Sequence, residues 1–111
     1  MDKKACVLLV EDNEDVRELL AGLLYRLEYE VFQAGSAEEA LEIYERHQED
    51  LAFVVSDRDM PGMNGAELLK KLRRRDAELK LILMSGNIGP EDEMLCQELG
   101  RAGVLRKPFG R

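Results

Sequence analysis

Short apolar runs, each followed at once by polar residues, are the feature that most constrains the fold of this chain. Runs of this length without polar alternation are typical of strands buried on both faces of a parallel sheet. The sequence predicts five such strands, and the first, third and fourth are the most apolar. They are Lys4–Val10, Glu30–Gln33, Leu51–Ser56, Lys80–Met84 and Gly103–Arg106.

The segments between these runs have the spacing of helices. Leucines recur every three or four residues between Val16 and Leu27, and Ser36 followed by Glu39 predicts a capping box at the start of a second helix. Ala66–Arg75 and Pro90–Leu99 are the next two helices. Strands that alternate with helices predict one α/β domain over residues 1–111, a doubly wound parallel sheet covered by helices on both faces.

Composition excludes several classes of function. The formal net charge is -7, which disfavours binding to nucleic acid or to an anionic membrane because both need a basic surface. No apolar run approaches the roughly 18 residues of a membrane span, and the N-terminus does not resemble a signal peptide. Cys6 and Cys96 lie far apart in apolar surroundings and are predicted to be buried thiols, which favours a reducing, cytoplasmic location.

Charged and hydroxyl side chains directly follow four of the predicted strands. Since ligands of open parallel sheets bind outside the carboxyl ends of the strands, these residues are expected to meet at one edge. Crowded carboxylates repel each other, and a Mg²⁺ ion, which prefers oxygen ligands, relieves that repulsion. A lysine beside them supplies a positive charge for a phosphate. The residues are Glu11, Asp12, Asp57, Ser85 and Lys107.

Four sequence blocks in this order resemble the motifs of two-component response-regulator receiver domains, and the resemblance runs from about Lys4 to Phe109. The family has a flavodoxin-like five-stranded parallel sheet in the order 2-1-3-4-5 with five helices. Because the chain ends at Arg111, where the fifth helix begins in the family, the resemblance implies that this helix is missing and that apolar surface of strands one and five is exposed. The blocks are Val10-Glu11-Asp12-Asn13-Glu14, Ser56-Asp57-Arg58-Asp59-Met60-Pro61-Gly62-Met63-Asn64-Gly65, Met84-Ser85-Gly86 and Lys107-Pro108-Phe109.

The resemblance also implies a role for each residue of the site. Asp57 accepts a phosphoryl group from a phosphohistidine of a sensor histidine kinase or a phosphotransfer protein, and Lys107 and Ser85 contact that group. Mg²⁺ is held by Asp12, Asp57 and the backbone carbonyl of Asp59, with Glu11 on metal-bound water. The chain is then a signalling switch that catalyses only its own phosphorylation and dephosphorylation.

Further consequences follow from the resemblance. Asp59 and Asn87 flank the phosphoryl group and tune its lifetime. The family carries an aromatic ring on strand five where this chain has Val104, so the usual rotating ring is absent. The face without a fifth helix is expected to support a homodimer.

Two other classes of function remain open at the level of sequence. A pseudo-receiver would use the same fold for docking without phosphorylation, and the substitution at Val104 keeps that alternative open. Asp57-Arg58-Asp59 also matches the Asp-x-Asp of haloacid-dehalogenase-like phosphatases. That motif normally follows the first strand, and the phosphatase hypothesis leaves Glu11 and Asp12 unexplained.

Overall fold

The structure, a computed structural model, describes residues 4–107. Five strands alternate with four helices over this range, in the predicted order. Strand bounds differ from the predicted ones by one or two residues, and Asp57 is the last residue of its strand rather than the first residue after it. The elements are β1 Cys6–Val10, α1 Glu14–Arg26, β2 Glu30–Ala34, α2 Ala37–His47, β3 Leu51–Asp57, α3 Gly65–Arg75, β4 Lys80–Ser85, α4 Pro90–Leu99 and β5 Ala102–Arg106.

All neighbouring strands are parallel, in the order β2-β1-β3-β4-β5. This confirms the predicted doubly wound, flavodoxin-like sheet. The strand order reverses direction between β1 and β3, so the chain leaves these two strands toward opposite faces. Their carboxyl ends therefore border the crevice in which such sheets bind ligands.

One face of the sheet carries the larger core. Alternate residues of the strands, such as Leu8 in β1 and Val54 in β3, are fully buried against α2, α3 and α4. Tyr44 of α2 and Leu69 of α3 are covered in the same cluster. Burial of each large apolar side chain contributes roughly 1.5–3 kcal/mol, so this face accounts for much of the stability of the domain.

The other face is packed against α1, whose Leu20 and Ala21 are buried over the sheet. The predicted apolar stripe of α1 is only partly covered, because the side chains of Leu19, Leu23 and Leu27 are 50%, 39% and 67% exposed. An apolar groove of about 310 Å³ runs along Leu23 and Leu27 toward β5, where Leu105 is half exposed.

Four helices lie within residues 4–107. The fifth helix of the family was expected to begin after Phe109, which lies outside the described residues. The prediction that β1 would be exposed is wrong, since every residue of Cys6–Val10 is buried. β1 lies between two other strands and beneath α1, so the exposed apolar surface belongs to α1 and β5 instead.

Side chains complete the ends of the helices. The Asn13 and Ser36 side chains accept backbone N–H bonds at the starts of α1 and α2. The capping box predicted at Ser36 is incomplete, because the Glu39 carboxylate accepts the N–H of Gly35 at 2.8 Å. Asn64 and Glu67 form the reciprocal pair at α3.

The end of α4 is completed by a residue from another helix. Arg73 of α3 donates to the carbonyls of Leu99 at 2.8 Å and Gly100 at 2.5 Å. α4 has no basic residue in its own last turn, so this guanidinium satisfies carbonyls that the helix leaves free. Between Lys4 and Lys107, no helix has the length and apolar character needed to cross a membrane.

Candidate functional site

Three carboxylates meet at the carboxyl edge of the sheet. Glu11 and Asp12 follow β1, and Asp57 ends the neighbouring strand β3; each offers an oxygen within 4.8 Å of the others. Glu11 and Asp57 are almost completely buried, at 1% and 3% exposure, whereas Asp12 is exposed. The Glu11 N–H donates to the Ala34 carbonyl at 3.0 Å, which extends the β1–β2 pairing and fixes the start of the loop.

A single ammonium group lies against the buried pair. The Nζ atom of Lys107 is 3.2 Å from Oδ1 of Asp57 and 3.4 Å from Oε1 of Glu11. The Lys107 N–H donates to the Ser85 carbonyl at 3.0 Å, so the pairing of β4 with β5 continues up to the lysine and directs it to the pocket. Among the described residues, the two buried carboxylates therefore share this cation.

The pKa values of these groups reflect their crowding. Burial, and then the neighbouring charge of Asp57, raise the pKa of Glu11. Burial also raises the pKa of Asp57, although the hydrogen bond and charge of Lys107 and the backbone of Asp59 oppose that effect. For Lys107, burial lowers the pKa, but Asp57 and Glu11 together outweigh burial and leave it raised. The pocket thus disfavours the negative charge of its two buried acids, Glu11 and Asp57.

The donor set fits a divalent cation. Oε1 of Glu11 is buried and lacks a hydrogen-bond donor among the described residues, although Lys107 lies near it. The second oxygen, Oε2, accepts the Asn13 N–H at 3.3 Å. Carboxylate oxygens that repel each other, with one left unsatisfied, match the preference of Mg²⁺ for oxygen ligands. The Asp59 carbonyl as a further ligand stays a prediction.

Ser85, at the end of β4, is fully buried, and its hydroxyl bonds to its own loop. The hydroxyl donates to the Asn87 carbonyl at 2.9 Å and accepts the Asn87 N–H at 3.1 Å. Both hydrogen-bonding functions of this side chain are therefore occupied within residues 85–87.

Sequence reasoning placed Gly65 in a loop and missed its part in the site. A Cβ atom at this position would lie 2.2 Å from the Asp57 carbonyl oxygen, so only glycine permits α3 to begin here. The Gly65 N–H donates to the Arg58 carbonyl at 3.0 Å, which closes the loop that follows Asp57. The position of this glycine eight residues after the aspartate was the available signal.

Sequence reasoning also missed an ion pair beside the end of β3. Arg58 contacts Asp92 of α4 at 2.7 Å, and Asp92 is only 3% exposed. Arg58 also pairs with the exposed carboxylate of Asp59 at 3.3 Å. In the sequence, Asp92 is one of three acids in the first turn of α4, which is ordinary at a helix start and gives no sign of burial.

Comparison with known proteins identifies a family in which this strand order occurs together with an acidic pocket at the edge of the sheet. The family model of the response regulator receiver domain matches residues 7–111. The chain belongs to the receiver domain family. Proteins of this family are signalling switches that bind Mg²⁺ at an acidic pocket, and the cluster of Glu11, Asp12 and Asp57 occupies that place here. The match does not favour the dehalogenase-like phosphatase alternative.

Individual relatives agree with the family. The receiver domain is 38% identical to the response regulator protein FleR of Pseudomonas aeruginosa over 105 residues, 95% of this chain but only 22% of FleR. It is 32% identical to the sporulation initiation phosphotransferase F of Bacillus subtilis over 93% of this chain and 82% of that protein. The structure of the chemotaxis protein CheY4 of Vibrio cholerae is similar with a TM-score of 0.88 at 28% identity, covering 97% of this chain and 90% of that one.

Proposed function

We propose that residues 1–111 form a phosphoryl-accepting switch in which Asp57 is the phosphorylated residue. One observation carries the proposal: the Asp57 carboxylate is buried 3.2 Å from Lys107 Nζ and shares its pocket with two further carboxylates. A nucleophile, a positive charge for the incoming phosphoryl oxygens and ligands for a cation are thus present together.

Asp12 and Asp57 are proposed to hold Mg²⁺ together with the Asp59 carbonyl, and Glu11 to orient water on the ion. When bound, the ion supplies neutralisation of the charge on the phosphoryl oxygens. Glu11 Oε1 is buried with no hydrogen bond recorded among residues 4–107 and with only the Lys107 ammonium group near it, at 3.4 Å, which supports a water or ion beside it.

In the proposed transfer, a carboxylate oxygen of Asp57 attacks the phosphorus of a phosphohistidine. The new P–O bond forms as the P–N bond breaks, and the imidazole nitrogen keeps the electron pair and takes up a proton. Lys107 first pairs with Asp57 and then with the phosphoryl oxygens, so its positive charge remains in the pocket throughout. The product is an acyl phosphate on Asp57, whose lifetime we expect Asp59 and Asn87 to tune.

The signal is proposed to leave the site through Ser85. Its hydroxyl must exchange the Asn87 backbone for a phosphoryl oxygen, and its loop moves with it. Val104 is half-buried on β5, and a β-branched side chain has a stiff χ1 angle, so it does not swing as an aromatic ring does. The loop after β4 and the start of α4 are therefore the proposed output.

The proposed partners follow from the same chemistry. A sensor histidine kinase or a phosphotransfer protein supplies the phosphoryl group, and a partner protein or an output domain responds to the change. A cytoplasmic location, where such kinases present their phosphohistidine, is part of the proposal.

Labelling with acetyl phosphate or with a phosphorylated kinase tests the acceptor. Asp57→Asn should abolish labelling, whereas Asp50→Asn, which makes the same change at the opposite edge of the sheet, should leave it intact. Asp12→Ala should lower the affinity for Mg²⁺ at least tenfold, because few protein ligands remain to replace it. Label that persists in Asp57→Asn would show that the acceptor lies elsewhere. A protein that never labels but folds normally would favour the docking-only alternative.

We further propose that a second copy of the chain covers the apolar groove between α1 and β5. Leu23 and Leu27 on one side and Leu105 on the other are exposed, and two-fold pairing would bury both sets at once. Light scattering should show a concentration-dependent dimer, which Leu27→Gln weakens. A monomer at millimolar concentration contradicts this part of the proposal without affecting the phosphoacceptor.

A further inference from the structure

Arg58 forms a well-buried ion pair outside the acidic pocket. Its Nη1 atom lies 2.7 Å from Oδ2 of Asp92, a carboxylate that is 3% exposed. The same carboxylate oxygen accepts the Gly89 N–H at 2.9 Å, at the first residue before α4. Arg58 thereby connects the residue next to the phosphoacceptor with the start of α4, 34 residues further along the chain.

The Arg58 guanidinium also contacts the loop after β4, to which the Ser85 hydroxyl is bonded. Nη1 of Arg58 donates to the Asn87 carbonyl at 3.0 Å, and that carbonyl also accepts the Ser85 hydroxyl at 2.9 Å. The contacts therefore form a continuous series from Asp92 through Arg58 and Asn87 to Ser85. We call these contacts of Arg58 with Asp92 and Asn87 the Arg58 clamp.

We propose that the Arg58 clamp holds the loop after β4 in its resting arrangement, with the Ser85 hydroxyl bonded to Asn87 and away from the phosphoryl position. Arg58 and Asp92 are positioning residues in this proposal, and the inference rests on the proposed function of Asp57. Phosphorylation has to release Asn87 before Ser85 can change its partner, so the clamp sets how readily the switch moves.

The chemistry of arginine suits this task. Its planar guanidinium presents several fixed donors, so it can serve Asp92, Asp59 and the Asn87 carbonyl at once. A lysine at the same position carries the charge but has no fixed fork. Loss of the clamp should raise the fraction of molecules whose loop is free to rearrange, and apparent affinity for a phosphoryl mimic rises in proportion to that fraction.

The test is an NMR titration of the ¹⁵N-labelled full chain with beryllofluoride and Mg²⁺. Asp92→Asn, Arg58→Gln and Arg58→Lys are compared with wild type and with two controls. Glu78→Gln removes an exposed ion-paired carboxylate, and Arg26→Gln removes an exposed arginine at the far end of α1. Asp92→Asn is the sharpest variant because it leaves Asp57, Asp59 and Arg58 in place.

Asp92→Asn and Arg58→Gln should each raise the apparent affinity for beryllofluoride about 3- to 10-fold. Before any ligand is added, the Gly86 and Asn87 amide signals should already have moved toward their ligand-bound positions, which a purely structural role would not cause. Arg58→Lys should move these amide signals by an intermediate amount. A double variant with Arg58→Gln and Asp92→Asn should have the same affinity as each single variant, because the two residues act as one unit.

Several results would overturn the inference. Unchanged or weaker affinity in the clamp variants, or amide shifts no larger than in the controls, would show that the ion pair only supports the fold. If Arg58→Gln fails to fold, Asp92→Asn and Arg58→Lys still decide the matter. If the wild-type protein shows no Mg²⁺-dependent binding of beryllofluoride, the proposed function of Asp57 is wrong. If wild type binds beryllofluoride but the clamp variants have the same affinity and amide shifts as wild type, only the Arg58 clamp is wrong.

Discussion

Strand β3 runs from the larger core, where Val54 is buried among leucines, into the acidic pocket, where Asp57 is buried beside Glu11. Val54, Asp57 and Glu11 are all almost completely buried, but the two regions differ in what their contacts contribute to stability. In the core, every buried side chain gains from its apolar neighbours. In the pocket, burial and like charge raise the pKa of both acids. Removal of a core side chain should therefore lower the stability of the protein, whereas removal of a buried charge from the pocket should raise it. Such exceptions to favourable packing are expected at functional sites.

The largest effect should come from the core. Leu69→Ala removes a fully buried side chain of α3 and should lower the free energy of unfolding by about 3 kcal/mol, through lost burial and the cavity left behind. Leu19→Ala, at a half-exposed position of α1, is the matched control and should change it by less than about 1 kcal/mol. Urea denaturation measures both. Equal losses would show that the face under α1 is as closely packed as the core.

The second-largest effect on stability should come from the boundary between the core and the pocket. Gly65→Ala places a Cβ atom against the Asp57 carbonyl and should destabilise the protein by about 2 kcal/mol, because backbone on both sides has to move. It should also slow labelling at Asp57, whereas Gly22→Ala in α1, which meets no atom within 4 Å, should do neither. An unaffected Gly65→Ala would mean that α3 can shift without cost to the site.

The pocket should respond in the opposite sense. Glu11→Gln removes a negative charge that its surroundings disfavour, so without Mg²⁺ it should stabilise the protein. Lys107 keeps its pairing with Asp57 in this variant. Addition of Mg²⁺ should stabilise wild type more than the variant and so reduce the difference. A loss of stability in the metal-free variant would show that the Lys107–Glu11 contact outweighs the repulsion.

The smallest and most diagnostic effect concerns pH. The folded-state pKa of Glu11 is raised above its ordinary 4.5, so the native state binds more protons than the unfolded state between these two values. The destabilisation by Glu11 is then complete above the raised pKa and disappears below about 4.5. The advantage of Glu11→Gln should consequently shrink as the pH falls through this window. Paired urea titrations of wild type and variant at several pH values measure it, and a constant difference would contradict the shift.

Much of this architecture was predictable from short patterns in the sequence. Apolar runs that end in Glu11, Asp57 and Ser85 define both the strands and the edge where polar residues collect, because parallel strands end together. The closeness of Asp57 and Lys107, 50 residues apart, follows from the strand order that the family resemblance supplied. No such rule connects Arg58 with Asp92.

The remaining features depend on the tertiary structure. An arginine after an aspartate and an acid at the start of a helix are individually ordinary, and only the packing of α4 against the loop makes them a buried pair. Burial along the apolar stripe of α1 also depends on tertiary packing. Leu20 and Leu23 have equivalent places in the pattern, but the neighbouring elements bury only Leu20.

The contacts of Arg73 have a consequence for how the molecule can move. This guanidinium holds the last carbonyls of α4 to α3, so the C-terminal end of α4 behaves as a fixed pivot. The opposite end is held through Asp92 and Arg58. If that end is released, α4 swings about its tethered terminus instead of sliding along the sheet. The displacement should then be greatest at Pro90 and Glu91 and fade toward Leu99, so the largest movement is expected at the end of α4 that Asp92 connects to Arg58.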